Sequence, residues 1–215
     1  MSRWLVLDLD GTLVDSVPGL TASLNRVMGG RGFTPYSREE VTPMVGDGLA
    51  VLLTRAFAAR SALPDEHAQN ELLGDYIANA SEHSCPYPGV HETLRELQAQ
   101  GWTMAICTNK PEAPAHALLR ALELDQFFAT VGGGDTYPIR KPDPGHLLAI
   151  LHACGGQPAR AIMVGDHHND IEAAIGAGVA SVWARWGYGN DVPGATAGAS
   201  QFTELPAIVN RLVPA

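Results

Sequence analysis

The sequence predicts an α/β fold: a parallel sheet flanked by helices, interrupted early by a small all-helical insert. Three observations carry this. From residue 86 onward, short apolar runs alternate with helical periodicity, the texture of repeated strand–helix units. Several of those runs end in polar residues, where an open parallel sheet collects its chemistry. Between residues 15 and 85 helical spacing recurs and no strand-like run is present. Residues 1–14 and 86–215 are therefore expected to form the α/β core domain, and residues 15–85 the helical insert.

The elements follow in order. Trp4 to Leu9 is an apolar run that closes on carboxylates, and Asp10-Gly11-Thr12 is turn chemistry. Val17 to Met28 is helical and stops at Gly29-Gly30. Ser37 and Glu40 fit a capping box, with Pro43 keeping that helix short. Leu49 to Ala59 carries apolar residues at helical spacing, and Asp65 to Glu82 is a further helix. Beyond Pro86, a helix over Val90 to Gln100 leads to a strand from Thr103 to Cys107 and a helix from Pro111 to Leu122. Ala129 to Val131 runs into the glycines at 132–134. Asp143-Pro144 opens a helix reaching Cys154. Ala161 to Val164 and Ala180 to Ala184 are strands around a helix at Ile171 to Ala177. Gly187 to Ser200 is loop, and Leu205 to Leu212 a terminal helix.

Composition narrows the function. The 215 residues are 46% hydrophobic and 17% charged, an ordinary globular balance. Fourteen Lys plus Arg against 23 Asp plus Glu leave a net charge of −9, which repels polyphosphate and argues against nucleic acid. A small phosphate needs only one or two local cations. Cys85, Cys107 and Cys154 are far apart and form no CxxC pair, so neither a disulfide framework nor a zinc knuckle is expected. The first ten residues already contain two carboxylates, and no apolar stretch approaches the roughly 18 residues of a membrane span. A cytoplasmic protein with no membrane partner is expected.

The strand ends bring together two carboxylate pairs, Asp8 with Asp10 and Asp166 with Asp170, the Thr108 hydroxyl beside Asn109, and the Lys141 ammonium. Carboxylates that close repel unless a hard divalent cation such as Mg²⁺ lies between them. A lysine and a hydroxyl aimed at the same spot suit a phosphate dianion, and the whole composes metal-assisted phosphoryl transfer. Other readings fit less well. An EF-hand at Asp8 fails for want of glycine at its sixth position. The glycines at 132–134 lack the lysine and hydroxyl of a P-loop. Adjacent His167 and His168 are expected to point apart, with no cysteine near to complete a zinc site. His146 and His152 are expected at the surface, and Cys107 in the core.

Asp8-Leu9-Asp10-Gly11-Thr12, Thr108-Asn109, Lys141-Pro142 and Gly165-Asp166-His167-His168-Asn169-Asp170 resemble the four motifs of the haloacid dehalogenase superfamily of phosphohydrolases. The resemblance covers nearly the whole chain and implies a Rossmann-like core with a helical cap of the first cap type. It implies that Asp8 is the nucleophile forming an aspartyl phosphate, and Asp10 the general acid and base. It further implies that Thr108 and the Asn109 backbone hold phosphoryl oxygens and that Lys141 neutralises charge. Mg²⁺ would be held by Asp8, the Asp10 carbonyl, Asp166 and Asp170, directly or through water. His167 stands where relatives often carry serine.

The insert segment Val45-Gly46-Asp47-Gly48-Leu49 and the Thr108-Asn109-Lys110-Pro111 version of the second motif resemble the phosphoglycolate phosphatase branch, with Gly46 and Gly48 in a cap loop dipping into the site. Arg55 is placed to offset Asp47. The implied substrate is a small phosphorylated metabolite, 2-phosphoglycolate or a sugar phosphate, handled by a monomer or homodimer. A β-phosphoglucomutase-like isomerase shares all four motifs and remains open. The intact Asp8 and Asp10 weigh against a non-catalytic member, and dehalogenase relatives lack the second aspartate.

Overall fold

The computed structural model describes residues 2–215. Strand β1 (Arg3–Leu7) is followed by a two-residue strand β2 (Val14–Asp15) and helices α1 (Val17–Gly29), α2 (Arg38–Val41), α3 (Leu49–Ala59) and α4 (Ala68–Ala78). A short β3 (Cys85–Pro86) leads to α5 (Val90–Ala99), β4 (Trp102–Cys107), α6 (Glu112–Ala121), β5 (Phe128–Gly132) and α7 (Pro144–Ala153). The chain ends with β6 (Ala161–Gly165), α8 (His168–Ala177), β7 (Ala180–Ala184), β8 (Ala197–Ala199) and α9 (Leu205–Leu212).

Among the described residues, six strands form one sheet in the order β5-β4-β1-β6-β7-β8, and every pair in it is parallel. Helical crossovers bury both faces of such a sheet at its centre, and β1 and β6 are buried at every residue. Alternate residues of β1 serve the two faces. Leu5 and Leu7 pack with Val90 and Leu94 of α5 and Leu205 and Val209 of α9. Trp4 and Val6 pack with Leu147 and Leu151 of α7 and Ala174 of α8. Since β1 is central, its C-terminal end opens at the middle of the sheet rim, where ligands of open α/β sheets bind.

Helices α1 to α4 build a separate apolar cluster that includes Leu24, Leu53, Phe57, Leu72 and Tyr76. The chain enters and leaves this region through the antiparallel pair β2–β3, with Val14 opposite Pro86 and Asp15 opposite Cys85. That pairing is absent from the sequence expectation, because two-residue strands carry no periodicity. Strand β8 falls in the stretch expected as loop: Ala-Gly-Ala has little β-propensity and forms a strand through pairing with β7. Helix α4 runs from Ala68 to Ala78 rather than from Asp65 to Glu82; at its start the Asp65 carboxylate accepts from the amides of His67 and Ala68 and turns the chain ahead of the helix.

Candidate active site

The ladder of β1 continues one residue beyond the strand, with the Asp8 amide donating to the Val164 carbonyl at 2.9 Å. Residues two apart on extended chain face opposite ways. A tight turn changes that for Asp10: the amides of Leu13 and Val14 both donate to the Leu9 carbonyl, and Gly11 takes φ +83°. Glycine is required at 11 on a second count, because a β-carbon there would lie 2.4 Å from an Asp166 oxygen. The turn brings Asp8 and Asp10 to the wall of one cavity of about 590 Å³, counting its open mouth.

Beneath this wall lies a buried ionic cluster. The Lys141 ammonium donates to Asp8 Oδ1 at 2.9 Å and to Asp170 Oδ1. Asp170 also accepts from the His167 amide at 3.0 Å, which fixes it at the start of α8. Asp166 accepts from the Thr12 hydroxyl at 2.9 Å and the Tyr188 amide at 2.8 Å. Oxygens of Asp8, Asp166 and Asp170 lie within 4.8 Å of one another, all three residues buried. Burial pushes the Asp8 carboxyl up to about 6 against the pull of Lys141, and burial with Asp8 and Asp170 nearby pushes Asp166 up to about 8. Burial works against the Lys141 charge, but Asp170 and Asp8 outweigh it and hold the ammonium well above its ordinary range. Three carboxylates facing one ammonium make an oxygen-rich, negatively biased donor set that fits a hard divalent cation.

Thr108 and Asn109 follow β4, whose ladder also runs on through the Thr108 amide to the Gly132 carbonyl at 2.9 Å. Both line the cavity. Gly46 and Gly48, at φ +118° and +91°, bring the α2–α3 connection down onto the core. The Asn109 side chain donates through Nδ2 to the Gly46 carbonyl at 3.0 Å, and the Asn169 side chain donates to the same carbonyl and to Asp47. A β-carbon at Gly48 would sit 2.9 Å from the Asn109 carbonyl, and one at Gly46 would meet the His167 ring at 3.0 Å. Asp47 pairs with Arg55 at 2.5 Å, and the bonds from Asn169 and Arg55 overcome its burial to lower its pKa.

Several residues of the wall were not among the expected site residues. The Lys110 ammonium contacts both Asp10 oxygens at 2.9 Å and the Tyr76 hydroxyl at 2.9 Å, while Ser16 donates to Asp10 at 2.5 Å. Lys110 lies within the second motif, so its signal was present. Tyr76 reads in sequence only as part of a helical stripe, and Tyr188 sits in a stretch read as loop. Two expectations are corrected. His146 is fully buried, its Nδ1 3.8 Å from Cys107 Sγ, because α7 turns that side inward under β4. The rings of His167 and His168 lie side by side, centroids 4.0 Å apart, since one caps α8 and the other begins it.

A parallel core with carboxylates, a hydroxyl and a lysine gathered at the tips of its strands defines a hydrolase class. The profile described as haloacid dehalogenase-like hydrolase matches residues 5–184, and the chain belongs to that family. Within it the chain is a phosphatase of the phosphoglycolate phosphatase-like kind. It is 42% identical over 197 residues to a phosphoglycolate phosphatase of Agrobacterium fabrum, covering 90% of this chain and 84% of the relative. A solved structure described as a predicted phosphoglycolate phosphatase from Haemophilus somnus superposes with a TM-score of 0.88 at 30% identity, covering 96% and 97% of the two chains. CbbY from Rhodobacter sphaeroides, solved with phosphate, shares the fold at TM-score 0.83 and 22% identity, covering 95% and 96%. Among the described residues, no helix is long and apolar enough to cross a membrane.

Proposed function

We propose that the enzyme is a Mg²⁺-dependent phosphomonoesterase that hydrolyses a small phosphorylated metabolite, 2-phosphoglycolate, through an aspartyl phosphate on Asp8. The observation that carries this is the Lys141 ammonium on one Asp8 oxygen, with three buried carboxylates inside 4.8 Å. Asp8, Asp166 and Asp170, with the Asp10 carbonyl, would hold the ion. It would supply positive charge to offset that of the transferring phosphoryl group.

Asp8 attacks phosphorus with the oxygen that Lys141 does not hold. The new Asp8–phosphorus bond forms as the ester oxygen leaves, and Asp10 gives that oxygen its proton. Water then attacks phosphorus and loses a proton to Asp10, which restores the Asp8 carboxylate and releases inorganic phosphate. The Thr108 hydroxyl and the Asn109 backbone hold phosphoryl oxygens, and Lys141 offsets charge on Asp8. Residues 15–85 act as a cap whose Gly46–Gly48 loop shields the reacting centre from bulk water. We place the enzyme in the cytoplasm, as a monomer or homodimer; its three cysteines are free.

The names borne by the relatives support 2-phosphoglycolate over a sugar phosphate, as does the apolar character of the insert's side of the cavity, which includes Leu20, Val45, Leu49 and Leu52. The test follows phosphate release from 2-phosphoglycolate beside conversion of β-glucose 1-phosphate to its 6-phosphate, with Mg²⁺ and with EDTA. Release from 2-phosphoglycolate, abolished by chelation, is expected. Isomerisation with negligible phosphate release would overturn the phosphatase mechanism, and full activity in chelator would overturn the metal role.

A further inference from the structure

Hydrolysing an ester that also carries a carboxylate requires a cation for that second anion. Lys141 is held by Asp8 and Asp170. Arg55 is neutralised by Asp47 and bonded to the Met44 carbonyl. Neither Lys141 nor Arg55 lines the cavity; among the described residues that do, the one Lys or Arg is Lys110. It is 5% exposed, with its ammonium 4.3 Å from the Tyr76 ring centroid.

From this placement we infer that Lys110 takes the carboxylate of the substrate and, in taking it, lets go of Asp10. This rests on the acid-bearing substrate proposed above and assigns the residue that selects it. An ammonium has three donors. Here two reach the Asp10 oxygens and one the Tyr76 hydroxyl, each at 2.9 Å. A second carboxylate gains a charge-assisted bond only by displacing Asp10. Asp10 keeps the Ser16 hydroxyl as a pivot and, displaced from the lysine by the arriving anion, takes from water the proton that it gives to the leaving oxygen.

The chemistry of the substrate makes that exchange geometrically direct. In a 2-phosphooxy acid one carbon separates the carboxyl carbon from the leaving oxygen, so ordinary bond lengths put the carboxylate oxygens about 2.7–3.6 Å from it. The group that protonates the leaving oxygen and the cation that holds the carboxylate must therefore be neighbours. Asp10 and Lys110 are. The insert's wall offers Leu20, Val45, Leu49 and Leu52, and its Tyr76 hydroxyl is already engaged by Lys110, so the class selected is a short 2-phosphooxy carboxylate rather than a polyol phosphate.

Inhibition constants of 3-phosphonopropionate and propylphosphonate test this, since the two differ in the carboxylate alone. Wild type should bind the carboxylate form roughly 10- to 100-fold more tightly. Lys110→Met should reduce that ratio to within about threefold, and Lys110→Arg should restore part of it. Since release of Asp10 acts on the chemical step, ethyl phosphate should show a lower kcat than 2-phosphoglycolate as well as a higher KM in wild type. A lysine that only positions Asp10 would lower kcat on both esters and leave the inhibitor ratio unmoved; that result overturns the inference. So does a wild-type ratio near one, which holds whether or not the Met variant folds, or an equal kcat on the two esters. A preserved ratio in an enzyme that releases phosphate from no ester would sink the hydrolytic function and leave the role of Lys110 standing.

Discussion

The two sides of the active-site cavity are built on opposite principles. The floor is ionic: Asp8 and Asp166 at the tips of β1 and β6, Asp170 in the first turn of α8 and Lys141 in the loop before α7 are buried, with their bonds to one another and to backbone satisfied. The roof, from α1, α3 and the α2–α3 connection, is apolar and meets the core through a few amide bonds to the Gly46 carbonyl and Asp47. Charge in a dry floor needs rigid scaffolding, because an unpaired buried ion costs several kcal/mol. A roof that selects substrate by size and lack of partners needs only shape. On the function proposed here, chemistry belongs to the sheet, and selection to the insert with Lys110 at the seam.

The sharpest way to break this contrast is to remove charge from the floor. Asp8→Asn is nearly isosteric and should fold normally, yet lose more than about 10³-fold in kcat. Retention of over a hundredth of wild-type activity would refute the nucleophile. Gly11→Ala should come next. It forces φ +83° on a residue with a β-carbon and drives that atom against the Asp166 carboxylate, so about 3 kcal/mol of stability should be lost in denaturant melts.

A smaller effect distinguishes the core beneath the floor by pH. His146 is enclosed by Cys107, Tyr137 and Ile150, with the Lys141 charge nearby; burial and then that charge lower its pKa from the usual 6.5 to about 4. The unfolded chain therefore binds the extra proton first. The stability contributed by neutral His146 is present above about pH 6.5 and is lost as pH falls towards 4. Between pH 7 and pH 5 that amounts to about 2 kcal/mol. His146→Leu should flatten this slope; an unchanged slope would place the titration elsewhere. The roof should respond least. Asn169→Ala removes the bonds to Gly46 and Asp47, for an expected loss of about fivefold in kcat/KM with the melting behaviour nearly unchanged. A loss as large as that of Asp8→Asn would erase the distinction between floor and roof.

Much of this was legible in one dimension. The bounds of α3, β7 and α9 agree with the apolar periodicity, and the Ser37–Glu40 capping box forms as its spacing implies. Asp8, Lys141, Asp166 and Asp170 are legible because their four motifs occur together and in order, where each alone would pass for a turn or a solvated charge. What escaped was whatever depended on a distant partner. β8 exists because β7 offers it an edge, and the burial of His146 depends on how α7 lies under β4.

The sequence by itself therefore determined the parallel core, the helical insert and the chemical identity of the strand-tip residues, since hydrophobic period, caps and turn glycines act over a few neighbouring residues. Only the tertiary structure decided which charges pair. Lys110 could have faced solvent; it meets Asp10 because α4 of the insert seats Tyr76 against it, some 34 residues away in the chain. Lys141 reaches Asp8 across 133 residues for the same kind of reason. Electrostatic pairing is set by distance and burial, and neither is a local property of sequence.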